Sequence, residues 1–387
     1  MTTTFHTFRD LPGDVRGFWE RAGRGQDPAG YFTGSPEWVE LMDGEGAASI
    51  AVVRGVGGRI AAVLPMLPRP WELVARVLGL NLFRRRLNTL KIGGGDLIED
   101  GIEPAALAAG FCEILARHPD VDAIWFEHVG AEARLLKLGT AARTSGAVFL
   151  VSLFHALPHV RLTLPETREQ AMALRSAKSV SRLRSKEKAL AREVNQPLRV
   201  VEIRAPDDWV PYEERIERLV NQSWQAQLFG QQFRLDSVRG TALRGWLRGF
   251  LLLAGEEALA FTMYYQGMGT MVSAILAYDR RYAKFSPGAI LFLHTLERLY
   301  AADRPEYLDF GEGDADYKRQ WANHTMEVGA VLLVRRRMGL AGQLALYRAA
   351  RGADRLGRRV LQVMGVERLL ARRAKRGAGG EGNETAD

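Results

Sequence analysis

The sequence predicts a mixed α/β protein with two domains. The chain has 387 residues, and roughly 100–200 residues form one domain. Its residues are 47% hydrophobic and 25% charged, which is ordinary for a globular protein with a buried core. Segments with strand periodicity alternate with segments of helical periodicity along the chain. This alternation favours the mixed class over an all-helical or all-strand fold.

The first half of the chain contains both kinds of element. Residues 35–42 (SPEWVELM) open with Ser and Pro, which is typical of a helix start. Residues 49–66 contain two apolar runs about a Gly-rich turn, which predicts a hairpin. An amphipathic helix is predicted over 101–119, and a short apolar strand over 122–129.

The second half begins near residue 155. The pattern predicts strands over 159–165, 198–204, 306–311 and 327–337, hairpin strands over 248–279, and helices over 167–194, 207–227 and 286–303. The helix over 167–194 is long and strongly basic. Hairpin strands are thus followed by a helix that opens on Ser-Pro-Gly, a strand that ends in Asp, a short helix and a last strand.

The net charge of +8 is concentrated in one segment. Residues 335–376 hold thirteen Lys or Arg and two acids, whereas residues 1–334 are nearly neutral. A basic tail on a neutral body argues against nucleic acid as a partner, because nucleic-acid binding requires a basic face on the fold.

Cysteine and targeting signals restrict the class further. The single cysteine, Cys112, cannot form an internal disulfide and is expected to be a buried apolar residue, which fits a reducing cytoplasm. The first residues show no signal-peptide pattern, and no apolar run approaches the roughly 20 residues of a membrane span. The seven histidines show no HExxH pattern, so we expect no metal site.

The tail separates into two predicted parts. Residues 338–376 predict a basic helix with one apolar face, and residues 377–387 predict a disordered end. An anionic membrane surface attracts such a helix, and we favour it as the partner. The alternative is a helix docked on the protein itself or on another protein. The members of the apolar face are Leu356, Val360, Val363, Met364 and Leu370.

Two segments of the second half resemble a known family. AYDRRYAKFSPGAILFLHTLE (277–297) and YLDFGEGDADYKRQW (307–321) are similar to the GNAT acyltransferase superfamily. The closest resemblance is to its bacterial cellulose- or exopolysaccharide-biosynthesis branch, a relative of the Fem peptidyltransferases. The DFG triplet also occurs in protein kinases, but the chain lacks their HRD loop and VAIK lysine.

The resemblance implies two GNAT-like domains in tandem. Residues 1–154 would form a degenerate first domain and residues 155–337 the catalytic domain, followed by the basic helix. Each domain would contain a mixed, mostly antiparallel sheet flanked by helices. The implied reaction is acyl transfer from acyl-CoA to a primary amine. One departure concerns the usual Gln/Arg-x-x-Gly-x-Gly/Ala phosphate loop, whose place is taken by RRYAKFSPG (280–288).

The start of the helix over 286–303 is the candidate acyl-CoA site. A helix start has unpaired N–H groups and a partial positive charge, both of which suit a diphosphate. Ser286 would cap this helix, and Gly288 would let a phosphate approach the backbone. Arg280, Arg281 and Lys284 would add positive charge. The alternative is an ordinary capped helix with solvated cations.

The block after the next strand holds the candidate catalytic residues. An amine arrives protonated, so a carboxylate such as Asp309 could bind it and accept its proton. Glu312 and Asp314 would help to bind the substrate, and Lys318 or Tyr317 could stabilise the oxyanion or protonate the leaving thiolate. The alternative is a turn in which the acids cap backbone N–H groups and Lys318 makes a salt bridge.

Two other features could contact the acceptor. Trp224 and Phe229 could pack against a sugar ring or an alkyl chain, although core packing explains them equally well. The basic stretch over 178–188 could bind a diphosphate on the acceptor, although such runs are usually solvated helix faces.

We therefore expect a cytoplasmic N-acyltransferase that binds the inner face of the plasma membrane and needs acyl-CoA but no metal. The acceptor that we expect is an amino sugar of an extracellular polysaccharide precursor. One alternative is long-chain acylation of a lipid amine such as a sphingoid base. A second alternative is an inactive GNAT-fold adaptor.

Overall fold

The computed structural model describes most of the chain. The described residues are 2–27, 29–43, 46–78, 80–93, 97–99, 101–130, 135, 149–223, 238–313 and 315–363.

Within these residues, twelve strands form one continuous sheet. They are β1 (Thr2–His6), β2 (Ser49–Arg54), β3 (Ile60–Val77), β4 (Leu80–Ile92), β5 (Ala123–Gly130), β6 (Phe149–Thr163), β7 (Leu198–Ile203), β8 (Leu247–Ala254), β9 (Glu257–Gly267), β10 (Thr270–Tyr278), β11 (Tyr307–Glu312) and β12 (His324–Arg335).

Helices cover both faces of this sheet. They are α1 (Gly13–Gln26), α2 (Tyr31–Gly34), α3 (Pro36–Asp43), α4 (Pro104–Arg117), α5 (Arg168–Ala173), α6 (Ala177–Glu193), α7 (Pro206–Trp209), α8 (Glu213–Asn221), α9 (Arg239–Leu243), α10 (Pro287–Ala301), α11 (Asp316–Trp321) and α12 (Met338–Val363). The predicted mixed α/β class, with a mostly antiparallel sheet, is confirmed.

The two halves of the chain repeat one topology and exchange a strand. The sheet order is β1-β2-β3-β4-β5-β12-β6-β11-β10-β9-β8-β7. Each half has one parallel pair, β4 with β5 and β10 with β11, whose strands are connected through α4 and α10 respectively. The last strand of each half pairs with the other half, since β12 lies beside β5 and β6 lies beside β11. The predicted boundary between residues 154 and 155 therefore lies inside β6.

The alternation of side chains along the central strands separates two cores. On β12, Val331 and Leu333 pack in the core under α4, whereas Leu332 and Val334 pack in the core under α12. In the second half, α10 packs on the same face as α4, together with Val160 and Leu162 of β6. The opposite face is covered by α1, α8 and α12.

The parallel strands β10 and β11 separate along their length. They pair only where Thr270–Val272 meet Tyr307–Asp309, although β10 continues to Tyr278. A register shift in the pairing of β10 with β9 lies between Ser273 and Ile275, next to the end of this short ladder. The separation opens the sheet between the strands at the end where α10 begins.

The prediction of one long basic helix over 167–194 is wrong in one respect, because the segment forms two helices, α5 and α6. The Thr167 hydroxyl accepts a hydrogen bond from the Gln170 amide and starts α5. The Ser176 hydroxyl accepts one from the Ser179 amide and starts α6. Two N-cap residues nine positions apart therefore divide the segment.

The predicted basic helix after residue 337 exists as α12, but its first turns are packed on the protein. The residues that face the sheet are Leu340, Leu344, Tyr347 and Ala350, all buried against β3 and β12. Leu356, the first residue of the predicted apolar face, is 65% exposed. The alternative of a helix docked on its own body thus holds for the first half of α12. Met364 and Leu370 lie outside the described residues.

No helix in the described part of the chain is long and apolar enough to cross a membrane.

Candidate active site

Asp309 lies in the middle of the sheet, on β11. Its neighbours Leu308 and Phe310 point into the core under α10, so Asp309 points to the opposite face. Asp309 is 4% exposed. Its carboxylate accepts hydrogen bonds from Arg161 Nε at 2.9 Å and from the Gly311 amide at 2.7 Å. The His159 Nε2 atom lies 2.8 Å from both carboxylate oxygens.

Among the partners of Asp309, His159 is the side chain that can accept a proton from a substrate. It lies on β6, is 5% exposed, and its Nδ1 atom is buried without a hydrogen-bond partner among the described residues. An ionised carboxylate can only accept, so Nε2 carries the proton toward Asp309. In neutral imidazole the Nδ1 lone pair is then free to accept a proton. Buried polar atoms are almost always satisfied, so an unpartnered one calls for a functional explanation.

Arg161 connects this pair to the first half of the chain. Its Nη1 and Nη2 atoms donate to the two oxygens of Asp27 at 2.6 and 2.8 Å, a bidentate pair at the end of α1. The backbone must come close here, because a Cβ atom on Gly30 would lie 2.2 Å from Asp27 Oδ2 and 2.9 Å from Arg161 Nη2. The site therefore depends on residues from both halves.

These contacts change the role expected of Asp309. Burial alone would raise the pKa of Asp309, but the hydrogen bond and charge of His159 and the charge of Arg161 lower it to about 2. A carboxylate with so low a pKa and three donors around it is a poor proton acceptor. The expectation that Asp309 itself takes the proton is therefore not supported by its surroundings. Its geometry suits orientation of His159 and stabilisation of the imidazolium.

Irregular backbone surrounds the pair on neighbouring strands. Gly311 and Gly313 have positive φ angles of 71° and 100°, and the pairing of β11 with β6 shifts register between Asp309 and Glu312. His128, on β5, has a φ of 54°, and its ring centre lies 5.4 Å from that of His159. Bulges of this kind re-aim side chains and are frequent beside active sites.

The predicted Lys318 and Tyr317 lie beside the turn after β11. Lys318 is 7% exposed, and its Nζ atom donates to the backbone carbonyls of Gly311 and Glu312. Burial lowers the pKa of Lys318. Tyr317 is half-buried edge-on to Phe310, and burial raises its pKa. Lys318 thus holds the turn that carries Gly311, which itself donates to Asp309.

The predicted substrate-binding residues are only partly described. The Glu312 carboxylate is partly exposed, and its Oε1 atom lies 3.3 Å from His128 Nε2. Asp314, Trp224 and Phe229 lie outside the described residues.

The candidate acyl-CoA site at the start of α10 differs from expectation in its details. Ser286 has a left-handed backbone (φ 59°) and makes no side-chain cap, so its predicted capping role is wrong. Instead the Ser286 hydroxyl accepts a hydrogen bond from Lys186 Nζ of α6 at 2.7 Å. Gly288 packs on β10, where its Cβ position is 3.5 Å from Leu276.

The predicted cations of this region are partly neutralised. Arg281 is bound by Asp279 and by Glu257, the latter at 2.6 Å, and these two carboxylates raise its pKa. Lys284 pairs with Glu193 at 3.0 Å. Arg280 also lies in the short turn before Ser286. The Lys284–Glu193 pair is exposed, and ion pairs of that kind contribute little stability, whereas Asp279 is buried beside Arg281.

Residues 177–319 match the acetyltransferase (GNAT) domain family. The second half of the chain thus contains a GNAT acetyltransferase domain. Its resemblance to the cellulose-biosynthesis branch stays a prediction.

Three solved structures are similar to the chain, and FemX, whose TM-score is above 0.5, shows the shared fold. FemX matches with a TM-score of 0.55 at 12% identity, over 90% of this chain and 99% of FemX. A tandem GNAT protein from the clavulanic acid biosynthesis pathway matches with a TM-score of 0.49 at 14% identity, over 86% and 98% of the two chains. A conserved protein of unknown function from Bacteroides thetaiotaomicron matches with a TM-score of 0.47 at 12% identity, over 86% of this chain and 100% of that protein. No curated protein sequence matches the chain.

The matched GNAT segment contains the start of α10 and Asp309, but not His159, Arg161 or Asp27. Sequence reasoning missed these three residues of the acyltransferase. A signal exists in HVRLTL (159–164), where His and Arg alternate with core residues of one strand. Asp27, 132 residues before His159 in the sequence, carries no comparable signal. Lys186 was noticed only as one member of a basic helix face.

The described residues contain no group of three or more His, Cys, Asp or Glu side chains arranged to hold a metal ion.

Proposed function

We propose that this enzyme transfers an acyl group from acyl-CoA to a primary amine, with His159 as the general base. The observation that carries this proposal is the buried Nδ1 atom of His159, which has no partner among the described residues, while Nε2 is held by Asp309. Histidine is the side chain that most often serves as a general base in enzymes.

The proposed reaction moves two protons from the amine and transfers the acyl group from sulfur to nitrogen. Nδ1 of His159 takes a proton from the substrate ammonium, and Asp309 stabilises the imidazolium. The neutral amine nitrogen then forms a bond with the thioester carbonyl carbon, whose oxygen becomes negative. The C–S bond breaks as the carbonyl reforms, and the second nitrogen proton goes to the thiolate. In this proposal, Lys318 or Tyr317 stabilises the oxyanion or protonates the thiolate.

In this proposal, the acyl-CoA donor enters the opening between β10 and β11. The diphosphate of CoA lies at the start of α10, near Ser286 and Lys186, and the thioester arm enters between the separated strands. The charge of Lys186 and the amide groups of the helix start favour the diphosphate. The enzyme thus holds the thioester near the face of β11 that carries Asp309.

Two primary amines are candidates for the acceptor. The similarity of 277–297 and 307–321 to the exopolysaccharide branch supports an amino sugar of a polysaccharide precursor. A lipid amine, such as a sphingoid base with a long-chain donor, is supported by exposed leucines beside arginines near α12. Either acceptor is compatible with an enzyme at the cytoplasmic face of the plasma membrane.

The proposal is tested with the purified full chain. Calorimetry with acetyl-CoA and palmitoyl-CoA identifies the donor, and thiol release in the presence of glucosamine or sphinganine identifies the acceptor. A short donor with the sugar supports the first acceptor, and a long donor with the base supports the second. Binding of neither donor would favour the inactive adaptor.

The role of His159 is tested separately by substitution. We expect His159→Gln to lower kcat by about 10²–10⁴-fold while acyl-CoA binding is retained. His294→Gln is the matched control, because His294 lies on α10 in an ion-pair cluster with Glu187 and Glu297. Unchanged turnover in His159→Gln would remove the general-base assignment.

A further inference from the structure

The hairpin of β3 and β4 extends beyond the sheet. β2 pairs with β3 only as far as Met66, and β5 pairs with β4 only from Thr89 onward. Between Trp71 and Val77, β4 is therefore the only strand in the described part of the chain that pairs with β3. Isolated two-stranded ribbons are marginally stable, and here α12 packs along one side of the ribbon.

The tip of this ribbon exposes apolar side chains. Leu78 is 51%, Leu80 73% and Leu82 55% exposed. Leu78 also has a φ of 47°, a left-handed conformation that Gly or Asn adopts more easily. A bulky apolar residue rarely adopts this conformation, and half of the Leu78 side chain stays exposed, so an external role is indicated.

The helix α12 brings a fourth leucine to the same end of the molecule. The Leu78 amide donates to Asp354 Oδ1 at 2.8 Å, and a Cβ atom on Gly357 would lie 3.0 Å from the Leu78 side chain. Leu356, next to this contact, is 65% exposed. The tip face is defined here as Leu78, Leu80, Leu82 and Leu356 with the arginines beside them.

The charge around the tip face is strongly positive. Residues 72–86 and 348–363 hold nine arginines and two acids. Both acids have partners, since Glu72 lies 3.7 Å from Arg84 and Asp354 accepts from Leu78. The exposed arginines whose side chains are described include Arg84, Arg86 and Arg355.

We infer that the tip face docks the enzyme on an anionic phospholipid bilayer. The leucines enter the interfacial region, and the arginines bind lipid phosphates, with their apolar stems alongside the leucines. Charge selects this partner, because each cation near an anionic surface adds attraction and a purely apolar partner would not require it. This inference does not depend on acyl transfer, since the tip face is separate from His159 and Asp309.

The test is flotation of the full chain with two kinds of vesicle. Vesicles of phosphatidylcholine with 30% phosphatidylglycerol are compared with vesicles of phosphatidylcholine alone, at roughly 0.1 M and 0.5 M salt. We expect binding to the anionic vesicles only, with clear weakening at high salt. Equal binding to both vesicles, or no binding to either, would overturn the inference, and the latter would leave an acidic protein as the partner.

A substitution pair isolates the leucines. Leu80→Ser with Leu82→Ser is expected to weaken binding to anionic vesicles by about tenfold or more. The control is Leu243→Ser on α9, because Leu243 is 72% exposed and lies outside the tip face. All three leucines are exposed, so the variants are expected to fold, and thermal melts check this. Wild-type binding by the double variant would also overturn the inference.

Discussion

His159 and Asp309 are 150 positions apart in the sequence, yet Nε2 of the imidazole lies 2.8 Å from both oxygens of the carboxylate. The contact exists because β6 and β11 are adjacent in the sheet, with Arg161 opposite Asp309. The strand exchange places β6 there, between β11 and β12. The catalytic domain predicted over 155–337 therefore shares the strand β6 with the first half of the chain.

Removal of the Asp309 charge should mainly affect turnover. An amide in Asp309→Asn can donate to Nε2, which would move the imidazole proton to Nδ1 and block proton acceptance. We expect kcat to fall by about 10³–10⁴-fold, with acyl-CoA affinity unchanged. Stopped-assay turnover and calorimetry measure the two quantities. The exposed Asp207→Asn is the control, and full activity of Asp309→Asn would show that the dyad is not catalytic.

Acid should remove the stabilisation that Asp309 provides. Its pKa is lowered from 3.8 to about 2, so the contribution is present above pH 4 and is lost as the pH falls through about 2. The shift corresponds to about 2 kcal/mol of unfolding free energy. Urea unfolding of wild type and Asp309→Asn between pH 7 and pH 2.5 should show their difference narrowing. A difference independent of pH would contradict the assigned charge state.

Gly30 should be needed for the connection between Asp27 and Arg161. A methyl group there would lie 2.2 Å from Asp27 Oδ2, so Gly30→Ala must displace this ion pair. We expect about 1–3 kcal/mol of lost stability, together with reduced kcat. Gly13→Ala is the control, since nothing lies within 4 Å of that Cβ position. Equal behaviour of the two variants would argue against the tight packing of this ion pair.

Lys186 should contribute to acyl-CoA binding. Its Nζ atom donates to Ser286 at the start of α10, so Lys186→Ala removes a cation from the proposed diphosphate site. We expect the Kd for CoA to rise about tenfold. Lys188→Ala, an exposed lysine on the same helix, should leave the Kd unchanged. The placement of the diphosphate would be wrong if both variants bound CoA like the wild type.

The helix α12 should stabilise the fold through Tyr347. This side chain is 7% exposed, whereas its neighbour Leu346 is 52% exposed. We expect Tyr347→Ala to lower the unfolding free energy by about 3–5 kcal/mol, and Leu346→Ala by less than about 0.5 kcal/mol. Chemical denaturation measures both values. Similar small losses in the two variants would mean that α12 is not part of the cooperative unit.

Local patterns predicted much of the secondary structure correctly. The hairpin of 49–66, the helix after Pro104 and the strand that ends near Asp309 follow from periodicity and from turn and cap residues, which act over a few positions. The break between α5 and α6 was not predicted, because the helical periodicity of residues 167–194 continues through it. Only the two side-chain caps, at Thr167 and Ser176, mark that break.

Only part of the candidate site could be predicted, because its residues come from segments that are distant in the sequence. Asp309, Lys318 and Tyr317 lie within one short segment, so spacing alone brings them together. His159 and Arg161 reach Asp309 through strand pairing, and Asp27 reaches Arg161 through the packing of α1 on the sheet.

The sequence by itself determined the mixed α/β class, the GNAT resemblance of the second half and the concentration of positive charge after residue 334. These properties depend on composition and on neighbours within a few residues. Only the tertiary structure decided that the two halves share one sheet, that Nδ1 of His159 has no hydrogen-bond partner in the described part of the chain, and that α12 packs on β3. Strand order and burial join residues more than a hundred positions apart, and no local pattern specifies such contacts.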